Sequence, residues 1–233
     1  MKIIFNKALK AMNKLVLFVF IFLTSILIVS CSSVYLLEQD NGKLQVVATT
    51  TFVGETVSRI ADDLVDLTVL LAPGQNPHGY TPRPQDITRV AQADVVFANG
   101  ADLEEFLDEL ITSAGGSAEI VYVSDGINYM EPSGGHLHED DEDEQDGDHE
   151  GVDPHVWFDP NNVIHWTENI DSTLSRLDPE NADTYQENAQ EYRDELTELD
   201  SWIRQQVEQI PEGERKLVTD HISFVYFADV YGF

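Results

Sequence analysis

The chain has 233 residues, 42% apolar and 9% aromatic, enough to bury one large core or two small ones. Its 43 acidic side chains face only 13 basic ones, a formal charge of −30. Such a surface repels nucleic acid and anionic headgroups and gathers cations, so no nucleic-acid partner is expected.

Residues 1–30 read as a signal peptide. They hold Lys2, Lys7, Lys10 and Lys14 and no acid, and the apolar run 15–29 is short of the ~20 residues of a spanning helix. Removing them leaves 9 basic residues against 43 acidic, a charge of −34. Ile28-Val29-Ser30-Cys31 resembles a lipobox, in which the cysteine is acylated and becomes the new N-terminus. Cys31 is the only cysteine, so no disulfide forms within the chain and no thiolate is left for a metal. Residues 31–43 then form a lipidated tether, and the folded part is extracytoplasmic and held at the cell membrane. An uncleaved signal anchor would give the same location.

Residues 44–133 read as an α/β lobe. "KLQVVATTTF" is a β-branched run expected as a buried strand, followed by a helix on Val57, Ile60, Ala61 and Leu64 and a second strand in "LTVLLAPG". Further pairs follow: a helix from Pro84, a strand "VVFANG", a helix "DLEEFLDELITSAG" and a strand "AEIVYVSDG". This alternation gives a parallel sheet, whose C-terminal strand edges bind ligands. His78 sits at such an edge, fixed by Pro77.

Residues 134–151 carry nine acids with His136, His138 and His149 and no apolar periodicity; disorder is expected, with the histidines as candidate accessory metal ligands. His155 follows the rigid Asp153-Pro154 pair, where Asp153 or Asp159 could hold its second ring nitrogen. Asp159-Pro160 signals a helix to about residue 177, and Asp178-Pro179 repeats the signal for the longest helix, over 178–211. Residues 216–219 are expected as a strand, His221 lies just past it, and "SFVYFADVYGF" starts a helix. Trp157, Trp166 and Trp202 are expected to pack in the core or between lobes, and His165 to serve packing or the surface.

Three imidazoles, His78, His155 and His221, each follow a strand edge or rigid turn. Neutral imidazoles suit zinc, a borderline ion. The segments "NPHGYTPRPQDI", "DPHVWFDP" and "VTDHISFVYFADVYG" occur in this order and resemble the zinc and manganese family of periplasmic or lipid-anchored metal-binding proteins that feed ABC importers. The resemblance implies two α/β lobes joined by a long rigid helix with the metal in the cleft, and no catalysis. His78 and His155 would be ligands from the first lobe and near the linker, and His221 the first from the second lobe. Manganese-type members carry a carboxylate at that third position, so histidine there resembles the zinc branch, with manganese the alternative. A fourth ligand, a carboxylate, is expected beyond Phe233, which leaves the second lobe, 212–233, incomplete. Arg83 stands where members often place a serine or threonine cap, at ~1 kcal/mol of helix stability.

The partners implied are a permease subunit of an ABC importer and the membrane, through the lipid anchor, with the protein a monomer. An iron-specific member, a surface adhesin and a zinc hydrolase are the competing readings. The last lacks any HExxH or paired-carboxylate pattern.

Overall fold

The computed structural model describes residues 42–131, 151–219 and 221–233. The signal segment, Cys31, and the acidic stretch with His136, His138 and His149 lie outside the described residues. Four strands, β1 (Leu44–Ala48), β2 (Val65–Val69), β3 (Val95–Ala98) and β4 (Glu119–Tyr122), form one parallel sheet in the order β2-β1-β3-β4. Val46 lies opposite both Leu67 and Val95, and Ala48 opposite Val69 and Phe97. From β1 the chain steps to β2 on one side and then to β3 on the other. That reversal opens a crevice at the C-terminal ends of β1 and β3.

Side-chain alternation sends Val46, Ala48, Val95 and Phe97 to one face, and Val47, Val96 and Ala98 to the other. Both faces are covered by helices, which is why the central strands are continuous apolar runs. Helices α2 (Pro84–Gln92) and α3 (Leu107–Ala114) cover the second face through Val90, Leu107 and Leu110. Helices α1 (Thr51–Ala61), α4 (Pro160–Leu177) and α5 (Ala182–Val207) cover the first, burying Val57, Ile60, Trp166, Ile170, Leu174, Tyr185 and Ala189.

The expected α/β class holds, with local differences in where elements begin. The first strand stops at Ala48, because the Thr50 hydroxyl accepts from the Val53 N–H at 3.3 Å and caps α1. The helix expected from residue 102 starts only at Leu107, since Ala101 and Asp102 adopt φ of 53° and 60°, outside helical space. Asp159 does cap α4, its carboxylate accepting from the Asn161 N–H at 2.9 Å, with Pro160 in the first turn. Asp178-Pro179 instead marks a turn. The Asp178 carboxylate accepts from Asn181 Nδ2 and the Tyr185 hydroxyl, each at 2.7 Å, and α5 begins at Ala182. Its 26 residues span about 39 Å.

Residues 216–219 do not form the expected strand. A strand exists through hydrogen bonds to a neighbour, and among the described residues none pairs with this segment; Val218 is 97% exposed. Trp202 is likewise 57% exposed rather than packed, whereas Trp166 is fully buried. The expected C-terminal helix is present as α6 (Val225–Tyr231). It is tied to α5 by the Tyr231 hydroxyl donating to Asp200 Oδ1 (2.9 Å) and Arg204 Nη1 donating to the Val230 carbonyl (3.3 Å). Among the described residues no helix is long and apolar enough to cross a membrane.

Ile170 sits at 0% exposure between α4 and the sheet. Ile170→Ala is therefore expected to cost about 2–5 kcal/mol in denaturant unfolding, through a lower midpoint at an unchanged slope. A loss below about 0.5 kcal/mol, the scale of a surface change, would contradict this core assignment.

Candidate metal centre

His78 comes from the loop after β2. Pro77–Gly79 form a single 3-10 turn, and the Asn76 side chain accepts from the His78 N–H at 3.0 Å. The loop returns to the sheet through Tyr80, whose hydroxyl donates to Asp86 Oδ2 at 2.6 Å. Asp86 is 3% exposed and also accepts from the Arg83 N–H at 2.7 Å and from the Arg83 guanidinium at 3.0 Å. The cap missing at Arg83 is thus supplied from the third helical residue. Burial alone would raise the Asp86 carboxyl, but the hydrogen bonds from Arg83 and Tyr80 outweigh it and hold it below its ordinary range.

His155 is held more tightly. Asp153 Oδ1 accepts from the His155 N–H (2.9 Å) and from its ring Nδ1–H (2.7 Å), which leaves Nε2 with a lone pair. Asn99, just past β3, donates from Nδ2 to the Pro154 carbonyl at 3.1 Å. The loop after Asn99 is organised by Glu104, which accepts from the Thr49 hydroxyl (2.5 Å), the Asn99 N–H (2.7 Å) and the Gly100 N–H (3.0 Å). Burial pushes the Glu104 carboxyl up against those hydrogen bonds. The Trp157 ring packs edge-on to His155 at 5.3 Å and stacks on Phe52 at 4.8 Å, closing one side of the site to water.

One ring nitrogen from each of His78, His155 and His221 lies within 4.8 Å of the others. Among the described residues this is the only such convergence of three or more histidine, cysteine or acidic side chains. His155 is buried, His78 half-buried and His221 exposed, so the group opens outward through His221. The Nε2 atoms of His78 and His155 face each other at 3.3 Å. Two nitrogens about 2.0–2.1 Å from a tetrahedral ion stand about that far apart. Asp153 is 1% exposed and its Oδ2 has no hydrogen-bond partner, a costly state for a carboxylate unless positive charge is near. A cation on the imidazoles would provide it, so the donor set fits a bound metal.

The profile of the ZnuA family, described as the periplasmic component A of a zinc-uptake complex, matches residues 46–233. The chain belongs to this family. It is 34% identical over 196 residues, 84% of its own length, to a manganese-binding lipoprotein of Halalkalibacterium halodurans, and 33% identical over 219 residues, 91% of its length, to an iron ABC transporter substrate-binding lipoprotein of Streptococcus pyogenes. It spans 60% and 66% of those two proteins. The manganese-bound periplasmic metal-binding protein of Candidatus Liberibacter asiaticus superposes with a TM-score of 0.70 at 30% identity, over 82% of this chain and 66% of that one.

Within this ZnuA-family fold, the three histidines singled out from sequence meet, while His165 stands apart, its Nε2 paired with the Asp125 carbonyl at 2.7 Å. Of the two carboxylates that could hold the second ring nitrogen of His155, Asp153 does so, while Asp159 caps α4. Asn99, Glu104 and Tyr226 were not singled out. Asn99-Gly100 after an apolar strand is a turn signal that could have been used, whereas nothing distinguishes Glu104 from the acid beside it.

Asp86 has a depressed pKa, so its stabilisation is fully present above the unfolded carboxyl value of 3.8 and is lost as pH falls through the lower folded value. Asp86→Asn should therefore melt below wild type near neutrality, with the gap closing in acid. A gap independent of pH would contradict the assignment.

Proposed function

We propose that the chain captures a divalent transition metal, zinc first, outside the cytoplasm, with His78, His155 and His221 as ligands, and delivers it to the permease subunit of an ABC importer. The observation that carries this reading is the convergence of three imidazoles, two of which, His78 and His155, face each other with Nε2 atoms 3.3 Å apart. The donor set favours zinc, since three neutral nitrogens suit a borderline ion better than the oxygen shells of hard cations. The family's description as a zinc-uptake component agrees. Manganese or iron is the second reading, favoured by the names of the two relatives. A hydrolase fits less well: Asp153 Oδ1 is committed to His155 Nδ1 and orients the ring rather than taking a proton from water.

In this reading Cys31 carries the lipid that keeps a monomer beside its permease, and α5 is the rigid link between the lobe 44–133 and the segment 212–233. His136, His138 and His149, among nine acids, would gather cations weakly before transfer to the centre.

Competition titration of zinc against manganese in wild type and His155→Ala tests the assignment. One tight zinc is expected, weakened by more than about 100-fold in the variant, which exceeds the loss of an outer-shell partner. Protons compete for imidazole, so affinity should also fall from about pH 8 to about pH 5.5. Tighter manganese binding would favour the second reading, and unchanged binding by His155→Ala would overturn the ligand assignment.

A further inference from the structure

The turn that carries His155 is gripped from two directions. On the sheet side Asn99 donates to the Pro154 carbonyl. From the other side comes Tyr226, in the first turn of α6, at 3% exposure. Its hydroxyl accepts from the Met130 N–H at 3.1 Å and donates to the Asp153 carbonyl at 2.9 Å. The Asp153 N–H in turn donates to the Met130 carbonyl at 2.7 Å. One buried hydroxyl therefore joins α6 to the residue whose carboxylate orients His155.

Tyr226 follows His221 by five positions. Between them Ser223 is buried, and the Phe224 ring stacks on Phe158 at 4.1 Å. The His221 side chain is exposed, yet its ring centroid lies 5.2 Å from that of His155. The segment that follows it docks against the turn that bears His155. Phe224 supplies apolar contact without a fixed register, whereas the two hydrogen bonds of Tyr226 are directional and set one position.

We infer that Tyr226 is a positioning residue of the metal centre: its hydroxyl fixes the segment bearing His221 against the Asp153–His155 turn, so that the third imidazole meets the other two. This rests on reading the three histidines as ligands. Tyr226→Phe keeps the ring and leaves the half-buried Met130 N–H and the buried Asp153 carbonyl without this partner.

Zinc affinity and the rate of zinc release to a chelator, measured in wild type, Tyr226→Phe, His221→Ala and the double variant, test the inference. Tyr226→Phe is expected to weaken zinc about tenfold, the usual scale for an orienting partner, and to speed release. In the His221→Ala background it should change nothing further, because no third ligand is left to position. An equal loss in both backgrounds would make Tyr226 a structural residue only and overturn the inference. So would an affinity unchanged by Tyr226→Phe while His221→Ala weakens binding. Failure of wild type to bind zinc or manganese would overturn the ligand reading and this inference together. Should Tyr226→Phe not fold, wild type decides. Coupling is reciprocal, so zinc should slow hydrogen exchange at the Met130 amide in wild type and not in His221→Ala. Unaltered exchange in wild type would overturn the inference.

Discussion

The hydrogen bond between Asp153 and the His155 ring is the contact on which the centre depends. Asp153 uses three of its four polar atoms differently: its N–H ties to Met130, its carbonyl receives Tyr226, and Oδ1 accepts from both the backbone and the ring of His155. The ring is thereby locked in orientation and tautomer, with Nε2 presented to the space shared with His78 and His221. Placing a carboxylate at 1% exposure is unfavourable by itself. It becomes reasonable when the imidazole it holds carries a cation, because the carboxylate then neutralises part of that charge.

The parallel sheet explains why the proposed ligands come from distant places in the chain. Parallel strands present all their C-terminal ends on one edge, and the loops that leave that edge gather side chains from separate crossover units. His78 leaves after β2, and Asn99, which holds the Pro154 carbonyl, leaves after β3. The Glu104 network ties the loop between β3 and α3 back to Asn99 and Gly100, around the positive-φ pair Ala101-Asp102. Helices α4 and α5 bury their apolar stripes against the same lobe, and α5 continues to Asp200 and Arg204, which receive α6. Hydrogen bonds from both sides thus hold the Asp153–His155 turn in place, which suits a centre that binds without first ordering itself.

Much of this was legible in the sequence for identifiable reasons. Apolar runs around Val46 and Val95 gave the strands, and prolines next to His78 and His155 marked the stiff turns. Proline-led caps gave α4, and the aromatic segment after His221 gave α6. Other features depend on distant partners and leave little local trace. Residues 216–219 have strand composition, yet a strand needs a neighbour that composition does not supply. Asp178-Pro179 resembles a helix start, but the Asp178 carboxylate serves Tyr185 and Asn181 in a turn. The Tyr226 hydroxyl meets Met130 and Asp153 across 96 and 73 positions of sequence, a contact that helical periodicity cannot foresee.

The proposed metal centre requires one ion to be shared by imidazoles from three separate segments. Anomalous diffraction at the zinc edge from zinc-soaked crystals measures this directly. A single peak about 2.0–2.1 Å from a ring nitrogen of each of His78, His155 and His221 is the result predicted. A peak lying away from these rings, or touching only one of them, would contradict it.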